Sequence, residues 1–258
     1  MLASVLEKRY ITPSLFVLRL EASEISRLVT AGQFVNVLPR SSGFDPLLRR
    51  PFSIYNRSDN WIEIIVQIHG KGTLELSYLS VGEICDVVGP LGMPWDINSS
   101  DYTTAILVVG GVGVASMPLL TQQLQAQDTP FETYYGARSA NLFADEYLHN
   151  VHYATDDGSK GSTGNVITLL REHLSQLLYE APKLFVCGPT RMMQAAAALA
   201  KDFSIPCEVS LETEMACGVG ICQGCPVQTT EEELADTGKK FHLVCTHGPS
   251  FDYKKIVF

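Results

Sequence analysis

Short apolar runs dominate the first 98 residues: Leu15–Leu20, Gln33–Leu38, Phe52–Tyr55, Trp61–Ile68 and Ile84–Val88. They are rich in β-branched or aromatic side chains and are separated by Gly, Pro, Ser and Asn, the mark of strands joined by turns. Several short strands at close spacing predict a small antiparallel barrel. The pattern then changes. Ala105–Val109, Phe131–Tyr135, Val151–Ala154, Leu184–Cys187 and Cys207–Leu211 are apolar strands, and helical stretches Met117–Gln127, Val166–Leu178 and Met192–Lys201 lie between most of them. Alternating β and α predicts a parallel sheet covered by helices, so the fold class is a β barrel plus α/β. The last 45 residues hold few apolar side chains, and the run Glu231-Glu232-Glu233 reads as a solvated turn. The expected division is therefore 1–98 (barrel), 99–213 (α/β) and 214–258 (a short C-terminal segment).

Composition narrows the class. The 258 residues are 46% hydrophobic and 18% charged, which suits a soluble globular protein of two or three small domains. The net charge of −9 argues against nucleic acid and against an anionic membrane surface, since both require a basic patch. The N-terminus reaches Glu7, Lys8 and Arg9 too soon for a secretory h-region. The most apolar run, Thr104 to Leu120, is broken by Gly110, Gly111, Gly113 and Pro118, so it predicts strand, glycine turn and helix, not a membrane span. A cytoplasmic location is expected.

Seven cysteines make no secreted disulfide framework. Four of them carry the strongest chemical signal. Cys217, Cys222 and Cys225 read C-x4-C-x2-C, and Cys245 follows after nineteen residues. That is the plant-type ligand spacing of a [2Fe–2S] cluster. Gly218, Gly220 and Gly224 let the loop curl and turn backbone N–H groups toward sulfur, which helps set the reduction potential. A four-cysteine zinc site normally shows two C-x2-C knuckles, and only Cys222 and Cys225 form one. So short a segment rarely folds alone, and ligation is expected to supply much of its stability. Cys85, Cys187 and Cys207 remain as reduced thiols.

Two further sets of residues suit anions. Arg49-Arg50-Pro51-Phe52-Ser53-Ile54 places a guanidinium beside a strand entry, with a Ser hydroxyl two residues beyond the Pro. Gly70-Lys71-Gly72-Thr73 precedes the helix-like Leu74–Leu79. Bare N–H groups at a helix start favour a pyrophosphate, although Thr73 as an ordinary N-cap explains the same residues. Gly89-Pro90-Leu91-Gly92 reads as a tight turn closing the barrel. In Val108 to Ser116, Gly111-x-Gly113-x-x-Ser116 partly matches the dinucleotide fingerprint, with Ser at the third glycine. Glu132, at the distance of a ribose-binding acid, lies inside a strand instead of at its end.

Taken in order, Arg-Pro-x-Ser, Gly-Thr, Gly-Pro-Leu-Gly and a βαβ unit resemble the ferredoxin–NADP reductase superfamily. The resemblance implies FAD on Arg50, Pro51, Phe52, Ser53, Gly72 and Thr73, with backbone groups of Val66, Gln67 and Ile68 on its ring. It implies NAD on Gly111, Gly113, Gly136, Arg138, Cys187 and Gly188, with Cys187 near the nicotinamide. For Cys187 a buried strand-end thiol is an equal reading, and Asp156-Asp157-Gly158 reads as a turn or a cofactor contact. The whole length is similar to the electron-transfer subunits of class 1B dihydroorotate dehydrogenases, through Leu48–Ile54, Gly136–Ser139, Thr155–Gly158 and Met215–Gly220. This resemblance implies a heterotetramer with an FMN-bearing catalytic subunit, and electrons passing from dihydroorotate through FMN, cluster and FAD to NAD+. No residue pattern offers a general base or acid for oxidising the dihydropyrimidine, so no catalytic residue is expected in this chain. A diaphorase-type subunit of a hydrogenase or ferredoxin oxidoreductase is the nearest rival. A zinc-binding or redox-sensing interaction protein is a rival from another class.

Overall fold

The computed structural model describes residues 1–39, 43–176 and 179–258. Six strands make a closed antiparallel barrel in the order β1-β2-β5-β4-β3-β6. They are β1 (Leu2–Thr12), β2 (Leu15–Glu21), β3 (Phe34–Leu38), β4 (Arg50–Arg57), β5 (Trp61–Gln67) and β6 (Ile84–Leu91). Leu18, Val35, Val37, Ile54 and Ile64 fill its interior. Helix α1 (Ser23–Leu28) follows β2, and α2 (Lys71–Tyr78) follows β5.

Next comes a parallel sheet of β7 (Thr104–Gly110), β8 (Phe131–Ala137), β9 (Val151–Thr155), β10 (Ser162–Thr163), β11 (Pro182–Cys187) and β12 (Cys207–Ser210). Its order is β10-β9-β8-β7-β11-β12, so the chain reverses direction across the sheet beside β7. Such a reversal opens a crevice at the C-terminal strand ends. Helices α3 (Pro118–Ala126), α4 (Val166–Gln176) and α5 (Thr190–Phe203) join these strands. The last two residues of the expected helix Val166–Leu178 lie outside the described residues.

The remaining elements are β13 (Pro226–Thr229), α6 (Glu231–Thr237), β14 (Phe241–Leu243), α7 (Val244–His247), β15 (Ser250–Asp252) and β16 (Ile256–Val257). β14, β13 and β16 form a small sheet, whereas β15 adds an antiparallel edge to β12. Cys225, Val244, Cys245, Phe251 and Ile256 share one apolar core with Val186, Leu199 and Val209 of the parallel sheet. The C-terminal segment is thus built onto its neighbour, with more apolar anchoring than its composition suggested.

Four expectations are corrected. β1 was not foreseen: Ala3 and Val5 are buried, but Glu7 to Thr12 are half-buried or exposed, so its far half lacks a clear apolar alternation. Gly89-Pro90-Leu91 continues β6 and does not turn. Thr73 is the third residue of α2 and not its N-cap; the cap is Gly70. Glu231-Glu232-Glu233 is the first turn of α6, where acidic side chains suit the positive helix end, and Thr230 Oγ1 accepts from the Glu233 N–H. Glu233 itself is buried against His242 Nε2 at 2.8 Å.

Candidate functional site

The two adjacent arginines of the barrel motif have different fates. Arg49 turns to β6 and pairs with the Asp86 carboxylate. Arg50 has no carboxylate partner among the described residues and lays its guanidinium on Gly72, where a Cβ would meet Arg50 Nε at 2.8 Å. At this N-terminus of α2, Thr73 Oγ1 accepts from the N–H groups of His69 and Gly70 at 2.9 and 3.2 Å. Arg50 Nη1 donates to the Leu48 carbonyl at 2.7 Å, and a guanidinium held this way on a glycine at a helix start is the chemistry of a phosphate cradle.

Beyond the Ile54–Ile64 pair, β4 and β5 cease to pair. In that opening lies a cavity of about 340 Å³, lined by Pro51, Phe52, Ser53, Ile65, Gln67 and His69 from the barrel. Its opposite wall includes Cys187, Glu212, Met215 and Pro249. A largely apolar cavity with a few polar side chains at its edge fits a flavin ring. Of the three residues expected at the ring by backbone contact, Gln67 lines the slot. Val66 is packed into the barrel core, and the Ile68 N–H is already donated to Ser14.

A second cavity, of about 600 Å³, opens over the C-terminal strand ends. Gly111, Gly113, Gly136, Arg138, Asp156 and Gly188 line it, which brings together every nicotinamide residue expected except Cys187. Gly111 has φ +53, and Gly113 packs so tightly on the Cys187 carbonyl that a Cβ cannot fit. After β7 the chain makes a 3-10 turn over Gly111–Ser116, and α3 begins only at Pro118. The helix thus starts within one residue of the expected Met117. Residues 156–158 form a turn closed by the Gly158 N–H on the Thr155 carbonyl at 3.2 Å, while Asp156 still faces the cavity. Glu132 is held by His152 at 2.8 Å and does not line the cavity.

Gln67, Val112, Gly113 and Glu212 line both cavities, so the two meet there. Cys187 sits at that end of β11 with its thiol buried and pushed up to about 12 by burial. Glu212 was not foreseen. Its carboxyl opens into the cavities but has protein packed around it, and burial raises it above the usual carboxylate range. Its place just after β12 is the signal that sequence reasoning passed over.

The four C-terminal thiols come in pairs. Cys222 lies beside Cys217, whose Sγ accepts from the N–H groups of Cys222 and Val219 at 3.4 and 3.5 Å. These backbone bonds hold the Cys217 thiol down at about 6. Cys225 lies against Cys245, whose thiol is pushed up to about 11, first by burial and then by Cys225. Among the described residues, no three His, Cys, Asp or Glu side chains converge on one ion. Two thiol pairs suit two irons with two cysteines each. Gly218 and Gly220, at φ +74 and +81, make the turns that aim the N–H groups.

Residues 212–257 match the model of the iron-sulfur cluster binding domain of dihydroorotate dehydrogenase B. The chain is 32% identical to the dihydroorotate dehydrogenase B (NAD(+)) electron transfer subunit of Desulforamulus reducens, with 99% of this chain and 97% of that one aligned. The Enterococcus faecalis subunit is 31% identical over 98% and 97% of the two chains. The Listeria monocytogenes subunit is 35% identical over 86% and 85%. Among solved structures, an NADH-dependent reduced ferredoxin–NADP oxidoreductase superposes with a TM-score of 0.86 at 26% identity, covering 100% of this chain and 90% of that one. Phthalate dioxygenase reductase shares the fold, with a TM-score of 0.63 at 19% identity over 90% and 74%. The Desulforamulus and Enterococcus subunits align over nearly the whole of both chains, and the chain belongs to the family of electron transfer subunits of NAD+-dependent dihydroorotate dehydrogenase B.

Proposed function

We propose that this chain relays electrons from an FMN-bearing, dihydroorotate-oxidising catalytic subunit to NAD+, as a step of pyrimidine biosynthesis. The observation that carries the reading is the meeting of the two cavities at Gln67, Gly113 and Glu212, with the cysteine segment supplying Met215 to the wall of the ring slot. When bound, the [2Fe–2S] cluster and FAD supply the change from one-electron to two-electron chemistry that ends in hydride transfer to NAD+.

The residues divide the work. Cys217, Cys222, Cys225 and Cys245 hold the cluster, and backbone N–H groups around Cys217 offset its negative charge. Arg50, Gly72 and the start of α2 hold the FAD pyrophosphate, while Pro51, Phe52, Ser53 and Gln67 wall its ring. Gly111, Gly113, Gly136, Arg138 and Gly188 receive the dinucleotide, and Cys187 stands at the junction. Having no side chain, Gly113 lets the 3-10 turn pack directly on the Cys187 carbonyl at the end of β11. Glu212 holds a proton there to a higher pH than an ordinary carboxyl would.

The units proposed are an FAD-binding barrel (1–98), an NAD-binding α/β unit (99–213) and a [2Fe–2S] unit (214–258). The exposed Cys222 and Ile221, with Ile221 82% accessible, favour a partner that covers the cluster loop. We place the protein in the cytoplasm as part of a heterotetramer of two chains of each kind. No helix among the described residues is long and apolar enough to cross a membrane.

The test is anaerobic co-expression with a candidate FMN subunit, followed by NADH formation from dihydroorotate and NAD+. Activity that requires both chains supports the relay. A complex that carries FAD and the cluster yet does not oxidise dihydroorotate would transfer the reading to another electron donor.

A further inference from the structure

Asn36 lies on β3 with none of its surface exposed to solvent, and neither Oδ1 nor Nδ2 has a partner among the described residues. An unmet buried polar group costs about 1–3 kcal/mol. Asparagine at this position therefore needs a partner that the polypeptide does not provide.

Register and packing show where that partner must be. Val35 and Val37 point into the barrel, so Phe34 and Asn36 face outward. In the β3–β4 ladder Phe34 opposes Ser53 and Asn36 opposes Pro51, which puts the carboxamide on the same face as the ring slot. On the other side, the cysteine loop closes onto it. Gly218, at φ +74, packs its Cα so close to Asn36 Nδ2 that no Cβ can be accommodated. The residue before Gly218 is the ligand Cys217.

We propose that Asn36 is a positioning and tuning residue for the cluster: its Nδ2–H donates to sulfur on the Cys217 side and favours the reduced state. The inference rests on the reading of the four cysteines as cluster ligands. A donor to cluster sulfur stabilises the extra negative charge of reduction and raises the potential. It acts in the same sense as the Val219 and Cys222 N–H groups already aimed at Cys217 Sγ.

The test is an EPR-monitored redox titration of the two-chain complex, comparing wild type with Asn36→Leu and Asn36→Asp, with iron, sulfide and FAD measured in each. Leu matches the volume but cannot donate. At a fixed solution potential the reduced-to-oxidised ratio of the cluster should fall about fivefold to tenfold, the effect of one hydrogen bond. Tenfold is about 59 mV for one electron. Asp should shift it further in the same direction. An unmoved cluster potential in Asn36→Leu, or a shift confined to the flavin, overturns the proposal.

Should Asn36→Leu shed its cluster, the wild type decides the matter. Pulsed EPR of the reduced complex grown on 15N-asparagine should show coupling to the labelled amide, and absence of that coupling also overturns it. Wild-type complex without iron and sulfide would instead remove the ligand reading itself, and this inference with it.

Discussion

At the scale of single residues, pairing decides what adjacent side chains can do. Arg49 and Arg50 look equivalent in the chain, but Asp86 neutralises Arg49 and leaves Arg50 available for a phosphate. Replacing Arg50 by Ala removes a charge-assisted contact worth about 1.5–3 kcal/mol. The expected outcome is flavin lost on dialysis with the cluster retained; full FAD stoichiometry would refute the assignment. Cys187 gives a pH prediction. Burial disfavours its thiolate, so the raised value, about 12, leaves almost none of the reactive form at neutral pH. Iodoacetamide should spare Cys187 until the pH approaches that value, whereas labelling of it at pH 8 in folded protein would contradict the burial. The choice between Arg49 and Arg50 could be made from the motif, but the reason for it, Asp86 on a distant strand, could not.

At the scale of elements, the cysteine loop and the glycine turn are the informative pieces. The barrel is a closed sheet of its own strands, so Cys222→Ser should abolish or destabilise the cluster and impair partner-dependent NAD+ reduction while FAD binding persists. Undiminished dihydroorotate-dependent NADH formation by that variant would end the relay assignment. Gly113 packs on the Cys187 carbonyl, so Gly113→Ala must push β11 and the 3-10 turn apart. Overpacking of this kind costs about 1–3 kcal/mol. Chemical denaturation should register that loss together with a raised KM for NAD+; a variant equal to wild type in both would show the contact to be slack. Strand and helix identities were mostly legible because their apolar periods are strong. The ends were less so: Thr73 and Glu231–Glu233 belong to helices whose starts are set by capping bonds to Gly70 and Thr230.

At the scale of the molecule, the three sheets are tied by contacts between residues far apart in sequence. Lys183 on β11 is buried, with Nζ 2.7 Å from Glu208 Oε1 on β12 and 2.8 Å from the Asp96 carbonyl of the connector leaving the barrel. The Asp96 N–H in turn donates to Glu208 Oε2 at 3.2 Å. Removing Glu208 would leave buried Lys183 with only the exposed Asp96 carboxylate, 3.8 Å away, and losing the buried partner of such a pair costs up to about 3–5 kcal/mol. Glu208→Ala should lower the urea midpoint accordingly, and a loss below about 1 kcal/mol would mean that water reaches Lys183. The C-terminal segment is stitched on similarly: the Met93 N–H meets the Gly248 carbonyl at 2.6 Å, and β15 extends the parallel sheet.

What the sequence determined alone was chemistry with a fixed local spacing: four thiols that suit a two-iron cluster, glycines where a chain must pass close to a ligand, and the periods that separate barrel from α/β. Those signals are local because a loop, a strand or a helix turn is specified within about ten residues. Only the tertiary structure decided that β4 and β5 part to make the ring slot, that Glu212 stands where the two cavities join, and that Asn36 lies sealed between the slot and the cysteine loop. Each of these depends on contacts between strands or segments distant in sequence. Such contacts form when apolar faces are buried together, and no local pattern encodes which faces will meet.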